Sequence, residues 1–246
     1  MAHKLVRCWL IFSLFWLLFA GWHRHDLPSH QVIQPRLWQE PKQEEIDQAA
    51  FQKTVGGIRY TIEPLYRYEL YGLVVSQHDA TSWRDYLHQA WQDKLNIRDL
   101  CVLWGDNVRS DIYQQLKFWS GQFTCNFSTR SNDVFRNFKQ TGMSNNHILA
   151  SDAHLTQILS QIRLGDQVYI KGYLAKYSHQ HGFNFSRGTS TVRTDTGNGA
   201  CETIYVTDIS ILQANPVVWP FVFNVSIGSF ILAMMMWFSL PFRIKQ

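Results

Sequence analysis

The sequence is short of the signatures that usually announce a protein's chemistry. It has 4 cysteines in 246 residues, too few for a disulfide scaffold, with no Cys-X-X-Cys pair and no zinc-ribbon spacing. No Gly-X-X period and no heptad seam runs through it, which excludes collagen-like and coiled-coil architectures. There is no Gly-X-Ser-X-Gly elbow, no His-Glu-X-X-His helix and no Walker loop. Charge is scarce too, at 17% of residues and a net +4. Lys4, Arg7, Arg243 and Lys245 account for that whole excess. The stretch between them is neutral, so it carries no surplus of basic residues for a nucleic-acid partner. What the chain does have is apolar and aromatic residues, 46% and 15%, far too many for a disordered polymer.

Two long apolar runs stand near the ends, uncharged over 8–22 and 217–240. LIFSLFWLLFAGW and the residues before it, 5–22, would span about 27 Å as a helix. Lys4 and Arg7 lie on the outer flank of this run. A cleaved signal peptide is the rival reading, but no Ala-X-Ala site follows Ala20, and Trp- and Phe-rich cores suit an anchor. The second run, 217–240, would span about 36 Å, enough to cross with some tilt. Trp219 and Trp237 stand at its ends. Asn224, Ser226, Gly228 and Ser229 form a small, polar band suited to a partner helix. Positive charge outside both runs predicts two cytoplasmic termini and a central domain across the membrane, in a bacterium the periplasm. The expected organisation is an N-terminal anchor (1–23), a Pro- and Gln-rich stalk (24–57), a periplasmic β-rich domain (58–213) and a C-terminal transmembrane helix (217–240).

Within the middle, a short helix is expected over 43–53 and a longer one over 82–95. Strands are expected at 66–76, 97–104, 121–127, 189–193 and 202–212. Residues 152–162 read as a helix capped by Ser151, with Leu155, Ile158, Leu159 and Ile162 inward. Gly165-Asp166 turns into a strand that Gly172 bulges or bends. Short strands with few helices predict a mainly β fold, a small OB-like or SH3-like barrel flanked by two transmembrane helices.

The segments YELYGLVVS (68–76), NIRDLCVLWGDNV (96–108), FWSGQFTCNF (118–127), MSNNHILASD (143–152), IRLGDQVYIKGYLAKYS (162–178) and the run 187–212 carry a resemblance. They look like a family of poorly characterised proteobacterial membrane-associated proteins, over roughly 60–212. The resemblance implies a bacterial envelope protein with one domain between its anchors. It brings no established activity and therefore no catalytic roles.

Candidate chemistry concentrates in two places. Arg187, Arg193, Asp195, Asn198 and Glu202 form a polar segment with glycines that would let backbone amides approach an anion; the bland reading is an Arg193 ion pair with Asp195 or Glu202 beside a long turn. Asn145, Asn146, His147 and Asp152 form the other, with His147 as a base oriented by Asp152, or simply a braced loop. The catalytic candidates are therefore His147, Asp195 and Glu202, and the ligand-binding candidates Arg187, Arg193, Asp195 and Asn198. Asp99, Trp104, Asp106 and Asn107 surround one strand end and would either line a pocket or cap the strand. His78, His88, His154, His179 and His181 lack a supported ligand spacing, so no metal and no cofactor is expected. Cys101 and Cys125 are the candidate disulfide, each in a strand-like segment.

No constellation has catalytic specificity. The expectation is a noncatalytic structural or interaction module of the cell envelope, with a membrane or periplasmic protein as partner and the bilayer as its surroundings. The alternative is an envelope enzyme, or a small-ligand or glycan binder, using the 193–202 segment.

Overall fold

A computed structural model describes residues 2–197 and 200–240. Two compact units emerge: Met1–Pro28 with Pro216–Gln246, and Ser29–Asn215.

The first unit is a helix pair. Numbered along the chain, α1 is Ala2–His23 and α6 is Trp219–Ser239. Both are long and apolar enough to cross a membrane, with mean hydropathy 1.8 and 1.9. They run antiparallel, since His3 meets Trp237 at 5.8 Å while Phe19 meets Trp219 at 5.2 Å. Small residues let the backbones approach: a Cβ on Gly21 would sit 3.2 Å from Phe223. Ser229 Oγ accepts from Trp9 Nε1 at 2.9 Å and lies 2.8 Å from Ser13 Oγ. Such bonds are the polar contacts that hold helices together in an apolar medium. Of the small polar band, Ser226 is buried and Ser229 is bonded to α1, whereas Asn224 and Gly228 are not buried.

The second unit contains β1 (Lys42–Glu45), β2 (Phe51–Val55), β3 (Ile58–Asp79), α2 (Tyr86–Ala90), β4 (Asn96–Leu103), α3 (Asp106–Arg109), β5 (Lys117–Gly121), β6 (Thr124–Ser128), α4 (Asn132–Asn137), β7 (Met143–Leu149), α5 (Ala153–Gln161), β8 (Gln167–His179), β9 (Phe185–Arg187) and β10 (Cys201–Gln213). β3 is the spine, 22 residues long, with β1, β2, β4 and β8 as antiparallel partners. β4 pairs with β7, β7 lies parallel to β10, and β10 returns antiparallel to β8. Strands β5 and β6 form a separate hairpin.

Alternation along these strands makes the core. Tyr68, Leu70, Val102, Ile148, Val168, Ile170 and Ile204 are fully buried together, and Leu155 and Leu159 of α5 pack onto them. Each such side chain contributes about 1.5–3 kcal/mol relative to exposure. Asp152, not Ser151, caps α5, accepting from His154 N and Leu155 N at 2.8 and 3.1 Å. Ser151 instead bonds the Tyr205 hydroxyl at 2.7 Å. Gly172 marks a close approach: a Cβ there would come 2.2 Å from Tyr205 O, next to a register shift between Val206 and Asp208 of β10.

The expected fold class is corrected. Helix (35%) and strand (36%) are equal, so the chain is mixed α/β rather than mainly β. Its sheet is eight-stranded and built on one very long strand, larger than the small OB-like or SH3-like barrel expected, with β3, β4, β7, β10 and β8 paired in a cycle that returns to β3. Other expectations change as well. Residues 43–53 hold no helix; Gln43–Glu45 and Phe51–Val55 pair with β3 instead, because strand partners outweigh a weak apolar helix face. The 82–95 helix shrinks to Tyr86–Ala90, started by the Asp85 cap and stopped by Gln92 at φ 54°. Residues 189–193 form no strand. The polar run around His147 is not a loop but β7, buried along its whole length.

Candidate functional site

β4 and β7 place Asp99 directly opposite His147. Neighbours across a ladder point to the same side, and His147 Nδ1 meets Asp99 Oδ1 at 2.7 Å. Both side chains are fully buried. Arg187, at the end of β9, brings Nη2 to 2.6 Å from His147 Nε2. A guanidinium only donates, so Nε2 is the acceptor and the ring proton sits on Nδ1, donated to Asp99. Burial pushes the His147 pKa down, Asp99 opposes this, and Arg187 and His88 push it down further. Burial also disfavours the Asp99 carboxylate, but His147 and Asn96 outweigh it and hold its pKa below the usual value. The site therefore rests as Asp99 carboxylate, neutral His147 and Arg187 cation.

The network continues. Asn96 Nδ2 donates to Asp99 Oδ1 at 3.0 Å and lies 2.9 Å from His88 Nε2. His88 Nδ1 meets Asp85 Oδ2 at 2.6 Å, and His78 Nε2 meets the same oxygen at 2.7 Å. Asp85 Oδ1 accepts the His88 backbone N–H at 2.8 Å, the cap that starts α2. Burial opposes the charge on Asp85, yet the bonds from His78 and His88 keep its pKa lowered.

Phe123 closes this group from above. It occupies the two-residue tip of the β5–β6 hairpin at φ 63°, a conformation costly for a bulky side chain. Its ring lies 4.2 Å from the Arg187 guanidinium carbon, 4.9 Å from His88 and 5.1 Å from Trp91. A disulfide between Cys101 of β4 and Cys125 of β6 ties the hairpin down, with Cα atoms 5.5 Å apart. Cys201 sits beneath the tip, its thiol directed to Phe123 O at 3.7 Å. Burial raises that thiol to about 11, so it is no thiolate nucleophile at neutral pH.

The polar segment that ends at Glu202 forms a second group. Arg193 Nη1 bonds Glu202 Oε1 at 2.6 Å. Its guanidinium lies 5.5 Å from both the Tyr68 and the Trp104 rings. Burial pushes the Glu202 pKa up, and Arg193 counters only in part. Asp195 accepts from the Ser190 hydroxyl. Asn198 lies outside the described residues. Thus His147 and Arg187 come together, Arg193 and Glu202 come together, and Asp152 serves α5 rather than His147. His179 is spent locally: Nε2 meets Trp91 O at 2.9 Å and Nδ1 accepts from His181 N at 3.2 Å.

Sequence reasoning missed Asp85, Asn96 and Phe123, saw Asp99 only as a strand-end residue, and gave His88 no partner. The available signal was Asp85 three residues before His88 at a helix start, with His78 at the end of the preceding strand. A cleft of about 860 Å³, lined by Asp106, Arg109, Asp133 and Lys139 among others, contains none of His147, Arg187, Arg193, Asp195 and Glu202. Compared with family models, curated proteins and solved structures, the chain matches none.

Proposed function

We propose that the chain is a two-pass protein of a bacterial inner membrane whose α/β domain serves as a noncatalytic structural or interaction module on the periplasmic side. One observation carries the noncatalytic reading. His147, the best general base on offer, is fully buried with Arg187 on one ring nitrogen and Asp99 on the other. A base needs a free nitrogen within reach of a substrate proton. The envelope-enzyme and ligand-binder alternative is weakened in the same way, since Arg193 and Glu202 are joined in an ion pair whose carboxylate is buried.

Placement outside the cytoplasm is supported by the Cys101–Cys125 disulfide, because such bonds persist in oxidising compartments. Lys4 and Arg7 before the first helix and Arg243 and Lys245 after the second favour cytoplasmic termini. Exposed aromatics offer surface for a protein partner: Trp83 is 80% and Trp119 49% exposed.

The test has two arms. Reporters active only after export, fused at either terminus, are expected to stay silent, and the same reporter inserted between Gly56 and Gly57 to be active. Photo-crosslinking residues at Trp83 and Trp119, against Lys53 as control, are expected to trap one discrete envelope protein. Active terminal reporters would reverse the topology, and no crosslink from either aromatic position would remove the interaction reading.

A further inference from the structure

We propose that His78, Asp85 and His88 form a binding site for a divalent transition-metal ion of the zinc class. One ligand atom from each residue lies within 4.8 Å of the other two. The three come from rigid points: the end of β3, the cap of α2 and its first turn. Two neutral imidazoles and one carboxylate are the donor set that zinc-class ions prefer, and a fourth position is left for water. The Asp85 carboxyl group is fully buried, with both imidazoles on a single oxygen. Zinc holds such ligands at about 2.0–2.2 Å, which sets their mutual separation near 3.3 Å. From the present 2.6 and 2.7 Å, the two nitrogen–oxygen separations lengthen by roughly 0.6 Å to admit the ion, and the two ligating nitrogens, within 4.8 Å of each other, come to the same spacing.

A second observation comes from behind His88. A ligating imidazole normally passes its other N–H to an acceptor that fixes the ring. His88 Nε2 faces the carboxamide of Asn96, which is buried and whose Oδ1 has no partner. Metal at Nδ1 puts the proton on Nε2, and the amide turned end for end offers that orphaned oxygen. The turn gives up the Asn96–Asp99 bond, so filling the site acts on the His147 pair. Access runs past His78, whose side chain is 20% exposed, while a cleft of about 350 Å³ lined by Gln89, Gln92 and Asp93 reaches the buried His88. This site is independent of the partner and topology argued above.

The experiment is titration of the full chain in detergent with zinc by calorimetry and with cobalt by visible absorption. The expected result is one ion per chain, a Kd of about 10 μM or tighter, and a cobalt spectrum with nitrogen–oxygen ligation. His78→Ala, on a partly exposed strand end, is expected to weaken binding at least 100-fold while circular dichroism shows an intact fold. Asp85→Asn is expected to do the same. His154→Ala, at an exposed histidine elsewhere, is expected to leave binding unchanged. Binding weaker than 1 mM in the unaltered chain, or binding that survives His78→Ala, would overturn the proposal.

Discussion

Arg187 donates to His147 through a 2.6 Å contact between Nη2 and Nε2, and that single bond fixes both the tautomer and the charge of the imidazole. A cation on one side and a carboxylate on the other leave His147 neutral and oriented. The arrangement resembles a poised acid–base pair in its Asp–His half, and the arginine turns it into a structural clasp.

The clasp makes acid sensitivity predictable. The His147 pKa is lowered from 6.5 by burial, by Arg187 and by His88, against Asp99. A folded state that refuses the proton loses stability once the unfolded state begins to take it. Stability is therefore full above pH 6.5 and falls below it, by up to about 1.4 kcal/mol per pH unit for this group. The Asp99 carboxyl, held low, adds a second loss only below its ordinary value of 3.8. Urea unfolding between pH 8 and 5 checks this, and a slope unchanged in His147→Asn would assign the loss elsewhere.

Phe123 supplies a substitution pair with a defined order. Removing its half-buried ring uncovers Arg187, His88 and Trp91, at a cost of about 1.5–2 kcal/mol for Phe123→Ala. Its φ of 63° suits glycine, so Phe123→Gly is expected to be the milder change by roughly 0.5–1 kcal/mol. Denaturant midpoints of the two variants decide it; an alanine variant as stable as the glycine one would show that the tip relaxes.

The Cys101–Cys125 bond closes a loop across a sequence separation of 24, so its loss is expected to cost about 3 kcal/mol. Alkylation mass spectrometry of the protein isolated from its own cells, with and without reductant, is expected to differ by two thiols. No difference would show that the bond does not form.

The Arg193–Glu202 pair should respond unequally to loss of either partner. Glu202→Met strands a guanidinium that cannot shed its charge, at about 3–5 kcal/mol. Arg193→Met strands a carboxyl whose pKa burial already raises, and it escapes by taking a proton. Arg193→Met is therefore expected to be milder by roughly 1–2 kcal/mol near neutral pH. Equal costs would show that the lost stacking on Tyr68 and Trp104 dominates.

Legibility in the sequence followed locality. The alternation in 66–76 found the middle of β3, but Pro64 hid its continuation, because the strand shifts register between Pro64 and Tyr66 and carries on. Gly172 read as a bulge or bend in its own strand; the register shift lies instead on β10, and Gly172 marks the close approach of Tyr205 O. Asn145, Asn146 and His147 read as loop because their polar character argues against burial. They sit in a central strand since β4 and β10 satisfy the backbone and Asp99 and Leu100 meet the side chains of His147 and Asn146. The 43–53 segment failed for the opposite reason: its conformation is set by β3, not by its own pattern. The Phe123 contacts join residues from separate segments, and no local pattern encodes such a meeting.

The position of β10 has a mechanical consequence. It is bonded on both sides, by β7 and β8, and only residues 214–218 separate it from α6. Tension drawn along α6 therefore enters the domain through an interior strand, where two ladders must slide together before either yields. Tension arriving from the other end meets residues 29–40 first, held by the buried Leu37 and by bonds to Gln167 and Trp104, and then β1, an edge strand bonded on one side only. The two connections are therefore unequal: a pull on the C-terminal one loads two ladders at once, and a pull on the N-terminal one loads single contacts and then one ladder.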